Sequence, residues 1–192
     1  LGPGPVSPAP EYYIFPLRAT RPTGALRPLS KHTAVIKRLG TGDTTDLEGD
    51  FSTRAGRAME PKPIQKPHPP LWFGGQHPAA LQRAVRVADG YMGAGPTTTA
   101  EFGEHVERLR GFLADEGRDP ATFPISKRVY LAVDNNEQRA KAGLDRFFQA
   151  RYPWMIQKNS DFVADICVWG SPQRVTEGLA EVIERGAGIV SP

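Results

Sequence analysis

"PPLWFGGQHPAALQRAVRVADGYMG", residues 69–93, is the stretch on whose reading the fold turns. A short apolar run, Leu71–Phe73, ends in Gly74 and Gly75, and a helix-forming segment opens at once on Pro78. Glycines at the carboxyl end of a buried strand let the backbone turn sharply and let a ligand approach closely. A helix starting immediately afterwards offers first-turn N–H groups and a partial positive charge, the makings of an anion site. Proline suits that start, because the N–H it lacks has no partner there. Gly74, Gly75, Gln76 and His77 line the turn. Two readings stand side by side: a phosphate-binding turn, or simply a tight strand-to-helix connection.

Towards the C-terminus the same rhythm repeats. "DGYMGAG" reads as a short strand. "TTTAEFGEHVERLRGFLADEG" reads as an amphipathic helix, with Phe102, Val106, Leu109 and Leu113 at helical spacing, Thr98 and Glu101 as a capping box and Gly117 as the stop. "RVYLAVD" is a continuous apolar strand, and "NNEQRAKAGLDRFFQARY" a helix broken by Pro153. "DICVWG" is a further short apolar run. "SPQRVTEGLAEVIERGAG" is a helix with Ser171 as N-cap and Pro172 in its first turn, ending on Gly186 before a last strand, "GIV". Strands and helices alternating through short glycine connections imply parallel βα units, with three or four strands against the eight of a closed barrel.

Towards the N-terminus the rhythm is lost. Residues 1–30 carry seven prolines and only Arg18, Arg21, Arg27 and Glu11 as charges. Proline fixes φ and donates no hydrogen bond, so a disordered or extended arm is expected there, and three arginines are too few to grip nucleic acid. "LSKHTAVIKRL", Leu29–Leu39, reads as a short amphipathic helix closed by Gly40 and Gly42. Glycines at 49 and 56 suggest a short hairpin or loop excursion, and the proline-rich run up to Pro70 is extended. The domain reading is thus an arm over residues 1–30 and a partial α/β barrel over residues 31–192.

Composition sets the outer limits. The chain has 192 residues, 39% of them hydrophobic, 19 prolines, 20 glycines and a net charge of +3. That mild positive excess does not point to a nucleic-acid partner. One cysteine, Cys167, excludes an internal disulfide framework and fits a reducing cytoplasm. No apolar run reaches the roughly 18 residues needed to span a bilayer, and the N-terminus lacks a signal-peptide pattern, so a cytoplasmic protein is expected.

Several segments, in order and spacing, resemble the luciferase-like flavin and deazaflavin oxidoreductases: "EPKPIQKPHPPLWFGG", the helix after it, "ADGYMG", the upstream excursion "GDFSTRAGRAMEPKPIQ" and the closing "VWGSPQRVTEGLAEVIERGAG". The resemblance covers residues 33–190. It implies a (β/α)8 TIM barrel holding FMN or coenzyme F420 at the carboxyl ends of its strands. Main-chain contacts to the cofactor phosphate would then come from Gly74, Gly75, Gln76 and His77. It also implies a hydride transfer, or O2 activation at a reduced flavin, on a small organic molecule, with the protein supplying positioning and electrostatics. The family's first four strands have no counterpart in residues 1–30, and "GIVSP" is short for a closing strand. The expectation is therefore the C-terminal half of a barrel, active in a homo-oligomer or with a completing chain; the alternative is a catalytically inactive half-barrel.

No other constellation competes. His32, His68 and His105 are read as surface or turn residues, Cys167 as a buried structural thiol, Trp72 and Tyr91 as core or pocket-wall aromatics, and Asp89 as a turn cap. No two histidines stand at metal-ligand spacing with a carboxylate. No catalytic residue is assigned.

Overall fold

The structure is a computed structural model that describes residues 26–41, 45–47, 54–57 and 60–192. The chain divides into two compact units, residues 1–73 and 74–192.

In the first unit, helix α1 runs Leu26–Thr41. It starts three residues before the expected Leu29 and inside the arm assigned to residues 1–30. Pro28 permits this because it is the third helical residue, where no N–H is needed for the helical ladder. Residues 1–25, where the rest of that arm falls, lie outside the described residues. The Thr41 hydroxyl donates to the Lys37 and Arg38 carbonyls at 3.1 and 3.2 Å and closes the helix. The proline-rich run folds back on that end: Lys62 Nζ donates to Leu39 O at 3.5 Å, and a Cβ at Gly40 would lie 3.3 Å from the His68 Cβ. The expected excursion is an antiparallel hairpin, β1 (Thr45–Leu47) against β2 (Arg54–Arg57), with Thr45 opposite Arg57 and Leu47 opposite Arg54.

The unit boundary falls inside β3 (Trp72–Gly74), so Gly74 opens the second unit. There follow α2 (Pro78–Val87), β4 (Gly90–Gly93), α3 (Thr99–Asp115), β5 (Ile125–Arg128) and β6 (Leu131–Val133). The chain continues through α4 (Glu137–Arg151), α5 (Pro153–Lys158), α6 (Phe162–Ile166), β7 (Val168–Gly170), α7 (Pro172–Glu184) and β8 (Ile189–Ser191). The main sheet has the order β3-β4-β5-β8, with β4, β5 and β8 parallel.

Two expectations are corrected. The strand read at 128–134 begins at Ile125 and is shared between two sheets. Residues 125–128 pair with β4 and β8, whereas 131–133 pair in parallel with β7. Val129 N donates to Ser191 O at 2.9 Å, and Tyr130 O accepts from Val168 N at 2.9 Å, so the strand changes partner within two residues. Hence four strands form one sheet and two short ones another, where three or four in all were expected. The apolar run "DICVWG" divides between two elements, since Asp165 and Ile166 finish α6 before β7 begins.

Register sorts the sheet's side chains. Tyr91, Gly93, Ile125 and Lys127 alternate with Met92 and Ser126, because successive residues of a strand face opposite sides. The first row lies under α3: a Cβ on Gly93 would sit 2.7 Å from the Phe102 ring. α2 and α3 bury Leu81, Val85, Phe102, Val106, Leu109 and Leu113 completely, and the last four are the apolar spacing read from the sequence. The second row carries Met92, and Ile189 opposite Ser126, exposed at 45% and 48%. A second cluster, Tyr130, Leu144, Phe148, Phe162, Val163 and Cys167, packs beside β6 and β7. Phe148 meets Tyr130 and Phe162 edge-on with centroids 4.8 Å apart in each case.

Candidate functional site: two strand-end turns

Gly74, Gly75, Gln76 and His77 form the turn from β3 into α2, with Gln76 and His77 exposed. Gly75 has φ +136°, and a Cβ there would stand 2.6 Å from the Ala80 Cβ. Only glycine satisfies both the conformation and the space. A Cβ on Gly74 would come within 3.0 Å of Met92 O. The diglycine is therefore demanded by the turn itself, and a ligand reading has to rest on the donors.

Those donors are arranged differently from the sequence expectation of open first-turn N–H groups. His77 is the N-cap of α2, and its Nδ1 accepts from Ala79 N at 3.2 Å. The His77 carbonyl takes Ala80 N at 2.7 Å and Leu81 N at 3.2 Å, and Pro78 has no N–H. Histidine thus fills the place that Ser, Thr, Asp or Asn usually takes at an N-cap. An accepting Nδ1 sets the neutral tautomer, with Nε2–H as the donor of an exposed ring. Beneath the turn, the Tyr91 hydroxyl donates to Gly75 O at 2.8 Å. Tyr91 is fully buried, and burial pushes its phenol up to about 12, so it remains a donor through the physiological range.

The loop from β4 into α3, residues 94–98, adjoins this turn: Gln76 Nε2 donates to Pro96 O at 3.5 Å. Lys127 of β5, only 3% exposed, sends its ammonium into the loop. Its Nζ donates to Ala94 O at 2.9 Å, Gly95 O at 3.4 Å, Thr97 O at 3.0 Å and the Thr97 hydroxyl at 2.7 Å. The Phe102 ring centroid is 5.8 Å from it. The expected capping box closes the loop: Glu101 N donates to Thr98 Oγ1 at 3.1 Å, and Thr98 N to Glu101 Oε2 at 2.8 Å. The sequence reading assigned no role to Lys127. The signal was there, a lysine inside the apolar run "ISKRVYLAV", because a buried ammonium must find oxygen acceptors.

The remaining candidates separate from this site. His105, expected on the solvent face of α3, is half-buried, and its Nδ1 has no hydrogen-bond partner in the structure. Burial lowers its pKa, with Arg108 adding to the effect. Cys167 is buried and free, its thiol pushed up to about 12 by burial, which suits a structural group. A cavity of about 460 Å³ lies among Thr99, Asp165, Cys167, Trp169, Arg174 and Glu177, and shares no residue with either turn. Arg174 stacks 4.7 Å over Trp169 and pairs with Glu137 at 2.6 Å, so its guanidinium is already engaged. No described helix is long and apolar enough to cross a membrane.

A parallel sheet under helices, left through short strand-end turns, defines an α/β protein. The profile of the luciferase-like monooxygenase family matches residues 26–188, and the chain belongs to that family. It is 29% identical over 109 residues to an FMNH2-dependent dimethylsulfone monooxygenase of Pseudomonas putida, covering 57% of this chain and 29% of that protein. The monooxygenase RslO1 of Streptomyces bottropensis superposes with a TM-score of 0.78 at 17% identity, over 98% of this chain and 59% of the other. The coenzyme F420-dependent tetrahydromethanopterin reductase of Methanopyrus kandleri gives 0.71 at 18% identity, over 97% and 65%. The fold is thus that of part of a (β/α)8 barrel, and the chain spans less than two thirds of each of these proteins.

Proposed function

We propose that the chain is a flavin- or deazaflavin-dependent oxidoreductase of the luciferase-like kind, acting on a small organic substrate and holding its cofactor phosphate at the Gly74–His77 turn. The observation that carries the reading is the pair of adjoining strand-end turns in a chain of this family. The residues suit a phosphate: Gly75 admits close approach, the turn supplies peptide N–H groups, and His77 offers Nε2–H from an exposed ring. The bound cofactor would supply hydride transfer or O2 activation. The chain's own residues bind and orient. Tyr91 anchors the Gly75 carbonyl, Gln76 ties the turn to the next loop, and His77 caps α2 while presenting its second nitrogen.

Titration with FMN and with F420, followed by fluorescence, tests this. Uptake of one of them, weakened at least tenfold in His77→Asp, is the expected result: aspartate keeps an acceptor for the cap but has no donor for a phosphate, where a hydrogen bond to a charged group is worth about 1.5–3 kcal/mol. Wild-type chain that binds neither cofactor sinks the reading and leaves an inactive barrel fragment.

A second reading concerns assembly. Met92 and Ile189 expose apolar surface on one sheet face, and in a complete barrel the strands' inner face is packed. We infer that a second copy or a completing chain covers this row in the active enzyme. Sedimentation of the purified chain would overturn this if it showed a cooperative, active monomer.

A further inference from the structure

We propose that Lys127 is the positioning residue of the β4–α3 loop: its ammonium gathers three loop carbonyls and one hydroxyl, and so fixes the loop against which the Gly74–His77 turn leans. An ammonium has three donors, and here four oxygens surround it at 2.7–3.4 Å. Three of them are carbonyls from a stretch of four residues, Ala94, Gly95 and Thr97, which an unclasped loop would turn towards water. The loop has few contacts of its own beyond these. Thr97 N donates to Gly95 O at 2.9 Å, the Thr97 hydroxyl to Ala94 O at 2.9 Å, and Thr98 N to Glu101. The first two use the same Ala94 and Gly95 carbonyls that Lys127 directs. The consequence reaches the turn through Gln76, whose amide rests on Pro96 O in the middle of the clasped segment.

The surroundings make the clasp sensitive to pH. Burial lowers the Lys127 ammonium to about 8, and the Glu101 carboxylate of α3 opposes that shift. His105, also on α3, is the other titratable group coupled to it. Gly93 of β4 and Val190 of β8, its register partners, carry no charge. Loss of the proton removes one donor and the charge, so the loop loosens as pH rises through about 8.

Amide hydrogen exchange on the full chain tests the clasp without any ligand. In Lys127→Met, Thr97 and Thr98 should exchange at least tenfold faster while Val106 and Leu109 in α3 stay within about twofold. Should the variant not fold, the wild type answers alone. Its Gly95, Thr97 and Thr98 amide resonances should shift together with a midpoint near 8 while Gly117 does not. Unchanged loop exchange in Lys127→Met, or acceleration spread equally over α3, overturns the proposal, as does a wild-type loop that does not titrate. The ligand arm rests on the cofactor reading and uses FMN. Binding at pH 7 should fall at least fivefold in Lys127→Met, and a decline above about pH 8 should be present in wild type and absent from the variant. If wild type binds neither FMN nor F420 but the loop-confined exchange is present, the clasp stands and the cofactor reading fails.

Discussion

The β3–α2 turn and the β4–α3 loop both leave a strand and enter a helix through an N-cap, yet they are held by opposite means. The first is exposed and made almost wholly of main chain. A glycine at φ +136° bends it, a histidine ring caps it, and one buried hydroxyl anchors it. The second closes over a buried ammonium that draws its carbonyls inward. The contrast teaches where strand-end specificity can reside. A turn defined by backbone conformation tolerates no side chain at its bend. A loop defined by a side chain from a third element depends on that residue's charge.

The sharpest way to break the contrast is Gly75→Val. A left-handed backbone with a clash at 2.6 Å should cost about 3 kcal/mol, combining strain of about 1–3 kcal/mol with overpacking of similar size. Chemical denaturation measures it, and a loss under 1 kcal/mol would show that the turn can relax. Thr98→Ala comes next: it removes the hydroxyl half of the capping box, leaves the backbone N–H of residue 98 on Glu101, and should cost about 1–2 kcal/mol. Tyr91→Phe should cost about 1 kcal/mol, since it removes one buried hydrogen bond and leaves Gly75 O without its donor. At the small end, Arg86→Ala at the half-exposed Arg86–Glu116 pair should stay within about 0.5 kcal/mol.

The alkaline stability curve sharpens the contrast again, because the buried groups of the two regions pull in opposite directions. Lys127 is depressed to about 8 from 10.5, so above about 8 the unfolded chain holds the extra proton and stability rises with pH until about 10.5. Cys167 and Tyr91 are both raised to about 12, from 9.0 and 10.0, so the folded chain holds the extra protons and stability falls above about 9 and then 10. A shallow rise between pH 8 and 9 followed by a steep loss above 10 is expected in thermal melts. In Lys127→Met the initial rise should vanish.

What was legible in the sequence follows from the range of the interactions. The helices announced themselves through local spacing and caps: Phe102 to Leu113, the Thr98–Glu101 box and the Ser171 cap all stand as read. The Gly75 bend was legible because φ is a property of one residue. Leu26–Pro28 escape the helix reading because proline's cost depends on its place in the helix, and Pro28 sits in the first turn. The split of residues 125–133 was hidden because partner choice belongs to the sheet, not to the strand. His77 as a cap, and Lys127 as a clasp across 30 or more residues of sequence, needed the fold before they could be seen.

The change of partner at Val129–Tyr130 has a mechanical consequence. Tyr130 packs with Phe148 in the aromatic cluster, while a Cβ on Gly95 would lie 2.6 Å from the same ring. Lys127, three residues earlier on that continuous segment, grips the other side of the loop. One stiff stretch of backbone therefore works as a shared beam, loaded at one end by the α4–α6 aromatics and at the other by the loop at the strand ends. Substitutions at Phe148 and Lys127 would not act independently. Their effects on exchange at Thr97 would depart from additivity, although Phe148 belongs to the aromatic cluster and Lys127 to β5.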